Sequence, residues 1–216
     1  MELWLDTIDF ELITKYTNQL SITGITTNPS ILAKSSLSAR VTIEKLLVLQ
    51  AGKVAVQVTL NNYPDMFTQA KMLAAIDPRI IIKIPITNDG LYTIHALSKI
   101  GIQTMATAIF ETSQILLGAM AGATYAAPYL GKIKGDNFAV LQDMLDIIKV
   151  NNYPLKLIVA AIKNKEQIVH ATKLGAQAIT IPADPFREFM ANLNETTDSL
   201  MQFDRDWMDS GKSLNS

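Results

Sequence analysis

Eight short apolar runs, separated by longer amphipathic stretches, constrain this chain of 216 residues more than any other feature. The runs are Glu2–Asp6, Gly24–Asn28, Lys53–Thr59, Ile80–Pro85, Gln103–Ile109, Thr124–Tyr129, Leu155–Ile162 and Ala178–Pro182. Rich in aliphatic side chains and bounded by turn residues, they read as buried parallel strands. Between them, Pro64–Ile76, Leu91–Ile100, Ser113–Ala121, Phe138–Asn151 and Glu166–Leu174 carry a helical pattern. Gly101, Gly122 and Gly175 follow helix ends, where a left-handed cap is wanted. Strand–helix units repeated eight times in this length predict an α/β chain folded as a (β/α)8 TIM barrel. An open doubly wound sheet would show the same alternation, but no Gly-rich phosphate loop follows any strand. With no linker or low-complexity tract, residues 1–216 are predicted to form a single domain. A further helix over about 193–207 carries Leu193, Leu200, Phe203 and Trp207, and either covers its own barrel or docks on a neighbouring subunit. Gly211–Ser216 is expected to fray.

Composition narrows the function. Hydrophobic residues at 49% against 18% charged describe a core-rich globular chain. A formal net charge of -1 gives no electrostatic reason to expect nucleic acid or an anionic membrane as partner. The absence of cysteine removes disulfides, thiolate metal sites and cysteine nucleophiles together, and suits a cytoplasmic location. Thr112–Gly131 lacks any charge, yet its glycines, Pro128 and tyrosines interrupt it throughout, so a helix followed by a buried strand is expected rather than a membrane span. His95 and His170 fall on helical stretches without metal-ligand spacing, and no metal or cofactor is expected.

In a barrel the chemistry collects at the C-terminal ends of the strands. Those ends read Asp6, Thr26-Thr27-Asn28, Gln57, Lys83, Thr107 and Tyr129. Lys83 is the single cation in the run Ile80–Ile86, where an ammonium pays for desolvation unless its pKa falls or a carboxylate pairs with it. A lysine held partly neutral attacks ketones, and the iminium it forms is an electron sink for breaking the adjacent carbon–carbon bond. Asp6 is suited to proton transfer and to holding Lys83, although its charge opposes the effect of burial on the lysine. Gln57, Thr107 and Tyr129 are suited to holding a water as proton shuttle. Thr26 and Asn28 are candidate substrate contacts.

Leu3-Trp4-Leu5-Asp6-Thr7, Gly24-Ile25-Thr26-Thr27-Asn28-Pro29-Ser30 and Ile82-Lys83-Ile84-Pro85 resemble the small transaldolase family. Thr107-Ala108, Ala126-Ala127-Pro128-Tyr129 and Ile179-Thr180-Ile181-Pro182 extend the resemblance across the chain. It implies a class I aldolase-type barrel acting on a sugar or sugar phosphate, with Lys83 as Schiff-base lysine and Asp6 as acid/base partner. Transaldolases carry glutamate where this chain has Gln57, and the larger ones phenylalanine at the position of Tyr129. The Gln57 and Tyr129 pair is similar to the fructose-6-phosphate aldolase branch, whose members form decamers with the terminal helix reaching a neighbour. A homo-oligomer is therefore expected.

The phosphate grip departs from the family pattern. Lys132 stands where the family has arginine, which loses the bidentate fork, and Ala161 stands where it usually has serine. Lys163 is close enough in sequence to compensate or to be a surface lysine. The expected activity is cleavage of fructose 6-phosphate or a related ketose to dihydroxyacetone and an aldehyde such as glyceraldehyde 3-phosphate. The rivals are transfer of the same three-carbon unit between sugar phosphates, and a non-catalytic sugar-binding or structural assembly.

Overall fold

Each apolar run becomes a strand of one closed parallel barrel, ordered β1 (Glu2–Asp6), β2 (Gly24–Thr26), β3 (Lys53–Gln57), β4 (Ile80–Pro85), β5 (Thr104–Ile109), β6 (Tyr125–Pro128), β7 (Lys156–Val159) and β8 (Ala178–Pro182). β8 pairs with β1 over its full length, which closes the ring. The structure is a computed structural model and describes residues 1–214. Helices α1 (Phe10–Thr17), α2 (Pro29–Leu32), α3 (Ala39–Leu49), α4 (Tyr63–Ala74), α5 (Asn88–Lys99), α6 (Thr112–Ala121), α7 (Asn137–Val150) and α8 (Lys165–Lys173) connect the strands. After β8 come α9 (Ala183–Phe189) and the last described helix, α10 (Asn194–Asp209).

The strand period of two divides the core. Outward residues such as Leu5, Ile25, Val54, Ile82 and Ala106 meet the helices, while Trp4, Ala55, Ile81, Met105, Tyr125, Ala127 and Ile158 fill the barrel interior. Two residues beyond an interior plug, the next inward side chain stands at the barrel mouth. That rule carries Trp4 to Asp6, Ala55 to Gln57, Ile81 to Lys83, Met105 to Thr107 and Ala127 to Tyr129. The interior is crowded enough to require glycine at one point. A Cβ on Gly24 would lie 2.6 Å from the Trp4 ring and 2.5 Å from the Lys53 carbonyl.

The opposite end is sealed by polar groups. Glu2 accepts from Trp4 Nε1 at 3.0 Å, from the Tyr125 hydroxyl at 3.0 Å and from Lys156 Nζ at 2.6 Å. Lys53 Nζ donates to the same Tyr125 oxygen at 3.2 Å. These groups satisfy one another at the N-terminal face, where barrels place stability rather than chemistry.

Several strands end earlier than their apolar patterns suggest. β2 stops at Thr26, because Asn28 caps α2 with Pro29 in its first turn. β3 stops at Gln57, and β7 spans only Lys156–Val159, with Ala160 joined to Tyr129 by an isolated bridge. Helices α1, α2, α3 and α9 were not among the segments picked out by periodicity, and α2 and α9 are too short for it to register. Gly101, Gly122 and Gly175 do adopt left-handed backbone. The uncharged stretch 112–131 folds as α6, β6 and a 3-10 turn at Leu130–Lys132. Among the described residues no helix is long and apolar enough to cross a membrane.

α10 does not cover its own barrel: every one of its residues is exposed. Leu193, Leu200, Phe203 and Trp207 recur at intervals of seven, three and four, so they share one face, and each is between 45% and 64% exposed. Residues 211–214 continue without helix; 215 and 216, included in the expectation of fraying, lie outside the described residues.

Candidate active site

At the C-terminal mouth, a cleft of about 380 Å³ is lined by Asp6, Asn28, Gln57, Lys83, Tyr129 and Lys132, together with Ala161. Five strand ends and two loops thus bring together residues up to 155 positions apart. Pro29, Ser30 and Ala160 also line it; the first two stand in the quoted Gly24–Ser30 motif, but sequence reasoning gave none of the three a role at the site. They carry no distinctive charge and reach the cleft only through the bend after β2 and the bridge beside Tyr129. His170 stacks on Phe138 at 3.8 Å, away from this cleft.

Lys83 is only 2% exposed, and Nζ donates to the Thr27 carbonyl at 3.2 Å. Burial pushes its pKa down from the ordinary 10.5, and the charge of Asp6, which pushes the other way, offsets this only in part. The direction left open by sequence is therefore downward, towards the nucleophilic free amine. Gln57 is the register partner of Lys83 on the neighbouring strand, and its amide has no partner among the described residues. It is available to a water or a substrate oxygen. Asn28 spends Oδ1 on the Ile31 amide at 2.9 Å, which fixes its orientation and leaves its NH2 for the cleft.

Tyr129 is held in two ways. Its ring meets Phe110 edge-on at 5.6 Å, and Lys132 Nζ lies 5.1 Å from its centroid. Thr107 donates its hydroxyl proton to the Tyr129 oxygen at 3.1 Å, so the phenolic proton is left to point elsewhere. Thr107 is buried behind Tyr129 and does not line the cleft. Its position follows from an irregularity in β5: the register with β6 shifts between Ala106 and Ile109, and Ala108 takes φ 57°. Ala161 is the other non-glycine residue at the mouth with left-handed backbone, φ 56°. A Cβ on Gly131 would come within 2.4 Å of the Ala161 carbonyl and 2.9 Å of Lys163 Cε, so glycine lets these two loops close together. Lys163 is exposed, lies across Gly131 and does not line the cleft.

Thr26 requires a correction. It is fully buried and does not line the cleft, so it stands outside the substrate contacts expected of it. Its hydroxyl donates to Asp6 Oδ1 at 2.6 Å. A second contact, with Thr180 Oγ1 at 2.7 Å, went unnoticed in the sequence. Each hydroxyl has one proton, so with that of Thr26 spent on Asp6, Thr180 donates and Thr26 accepts. The result is a buried chain from Thr180 through Thr26 to the carboxylate. Thr180→Val should lower kcat roughly ten-fold with little change in KM, the loss expected when one link supporting a charged group is cut. Thr180→Ser should restore it. An unchanged kcat in Thr180→Val would reduce Thr180 to packing.

Residues 3–214 match the Transaldolase/Fructose-6-phosphate aldolase family. A probable transaldolase of Moorella thermoacetica is 35% identical over 213 residues, covering 96% of this chain and 97% of its own. A probable transaldolase of a Caulobacter species is 31% identical over 217 residues, covering 99% and 100%. Among solved structures, the flavin-binding domain of baker's yeast flavocytochrome b2 superposes with a TM-score of 0.57 at 11% identity, covering 84% of this chain. This chain spans 56% of that structure's length, and the likeness is one of barrel fold alone.

Proposed function

The chain belongs to the transaldolase/fructose-6-phosphate aldolase family, and from that premise we propose that it is a Schiff-base aldolase cleaving fructose 6-phosphate or a related ketose. The products are dihydroxyacetone and an aldehyde such as glyceraldehyde 3-phosphate. The Lys83 amine adds to the ketone carbon, and loss of water gives an iminium. Asp6 takes the proton from the hydroxyl beyond the scissile bond as that bond breaks, and the electron pair enters the iminium to give an enamine. The aldehyde leaves, the enamine carbon is protonated, and water hydrolyses the new iminium to release dihydroxyacetone and free Lys83.

One observation favours the aldolase over the transferase within the family. A transferase must preserve the enamine until a second aldehyde arrives, whereas an aldolase protonates it. The direction of the Thr107 hydrogen bond leaves the Tyr129 proton free, and Tyr129 lines the cleft. Gln57, neutral where transaldolases carry glutamate, leaves the water's protons to that phenol and to Asp6. The transferase reading has its own support, since the relatives above are named probable transaldolases. The test is the time course of dihydroxyacetone release from fructose 6-phosphate with no acceptor. Sustained release that is absent in Lys83→Met supports the aldolase; no sustained release, with a new ketose formed once an aldehyde acceptor is added, establishes the transferase instead.

The same reading includes a homo-oligomer. The exposed apolar face of α10 is most simply covered by a second copy of the chain. Ending the chain at Leu193 should lower the mass found by sedimentation while leaving the barrel's circular dichroism intact. An unchanged mass would remove α10 from the interface.

A further inference from the structure

We propose that the cleft continues into an apolar side arm, and that the preferred aldehyde carries an alkyl or aryl chain lying in it. This rests on the aldolase or transferase reading above, because either reaction needs an aldehyde partner beside Lys83.

The arm is a groove of about 680 Å³ between the turn from β5 to α6 and the segment leading into α7. Its continuity with the cleft is built from shared residues. Lys132 lines both, and Phe110, which forms one wall of the groove, is the ring that meets Tyr129 edge-on at 5.6 Å. An aldehyde whose carbonyl sits beside Tyr129 therefore has Phe110 as its next neighbour.

The surfaces offered there are apolar. Phe110, Ile133 and Val140 line the groove, and the exposed Lys132 and Lys134 complete it. The remaining polar side chains are Glu111, Thr112 and Gln114, and two of them are partly spent on the turn itself. Gln114 Oε1 accepts the Phe110 amide at 2.7 Å and the Glu111 amide at 3.3 Å. The Glu111 carboxylate accepts the Ser113 hydroxyl and completes a reciprocal cap on α6. Gln114 Nε2 and the Thr112 hydroxyl remain, too few groups for a row of sugar hydroxyls, which would lose hydration against Phe110, Ile133 and Val140. Across the cleft, Ala161 offers no hydroxyl either. A phenyl or alkyl chain gains from burial where a polyhydroxylated chain loses.

The experiment is addition of dihydroxyacetone to propanal and to 3-phenylpropanal, read as kcat/KM for each aldehyde with the full chain. The enamine carbon bonds to the aldehyde carbon, the resulting alkoxide takes a proton, and water frees the product from Lys83. The longer aldehyde should be favoured by at least roughly ten-fold, the scale of a well-filled apolar pocket. Val140→Asp should bring that ratio close to one. Val140→Thr, which keeps the shape and adds a hydroxyl, should reduce it part of the way, so a folding defect cannot mimic the result. A wild-type ratio near one with propanal turned over would overturn the side arm and leave the aldolase reading intact. An equal loss for both aldehydes, or a change in sedimentation with the ratio unchanged, would assign the groove to folding or to a second copy and overturn the proposal. No turnover of either aldehyde would overturn this proposal, while release from fructose 6-phosphate decides the enzymatic reading separately.

Discussion

Lys83→Met is expected to lose turnover by a factor on the order of 10⁴ or more, as removal of a covalent nucleophile does, and at the same time to melt higher than the native chain. The two effects share one cause. Lys83 is buried and its pKa is pushed down by burial, so the fold carries a desolvation cost whenever the lysine is charged. The sign follows from proton counting. Between the depressed folded value and the ordinary 10.5, the unfolded chain holds a proton that the folded chain has lost, so stability rises with pH across that window. At neutral pH the cost is present. Methionine fills a similar volume without charge, and a gain of about 1 kcal/mol would raise Tm by about 2–4 °C in a chain of this size. Intact mass after borohydride reduction with dihydroxyacetone should show one adduct in the native protein and none in the variant, and calorimetry should give the Tm. An adduct in Lys83→Met would move the Schiff base to another lysine. A lower Tm would mean that the Thr27 carbonyl and Asp6 outweigh the cost of burial.

How far the sequence could be read depended on which physical period was involved. The strand period of two is local, so interior plugs and mouth residues could be paired along one strand, as Trp4 with Asp6 or Ile81 with Lys83. The barrel then brought Asp6, Asn28, Gln57, Lys83 and Tyr129 to one cleft. What escaped depends on closure. Thr26 and Thr180 are 154 residues apart and meet only because β1 runs between β2 and β8, so no spacing in the chain announces their bond. Thr26 was misplaced for the same reason, since a hydroxyl at a strand end looks alike whether it faces substrate or a buried carboxylate. Strand ends ran too long because a capping asparagine before proline resembles extended chain until the helix beyond it is seen. The balance on Lys83 needed burial as well as residue type, since burial and Asp6 act in opposite directions.

Asp6→Asn separates the two duties given to that carboxylate. The asparagine Oδ1 can still accept from Thr26, so the geometry at the end of β1 is kept while the charge is removed. If Asp6 moves the proton, the maximal rate should fall about 10²–10⁴-fold, the usual contribution of a positioned acid or base. The charge of Asp6 also raises the Lys83 pKa, so removing it should lower that pKa further. The acid limb due to the amine should therefore shift to lower pH even as the plateau falls, and the two effects are read separately from kcat/KM between pH 5 and 10. Borohydride trapping should persist, because the nucleophile remains and a larger share of it is neutral. A shifted limb with an unchanged plateau would leave Asp6 only the task of holding Lys83, and the proton would then have to pass through the water beside Gln57 and Tyr129. A fallen plateau without a shift would mean that Lys83 does not feel the charge of Asp6, and that its reactivity is set by burial alone.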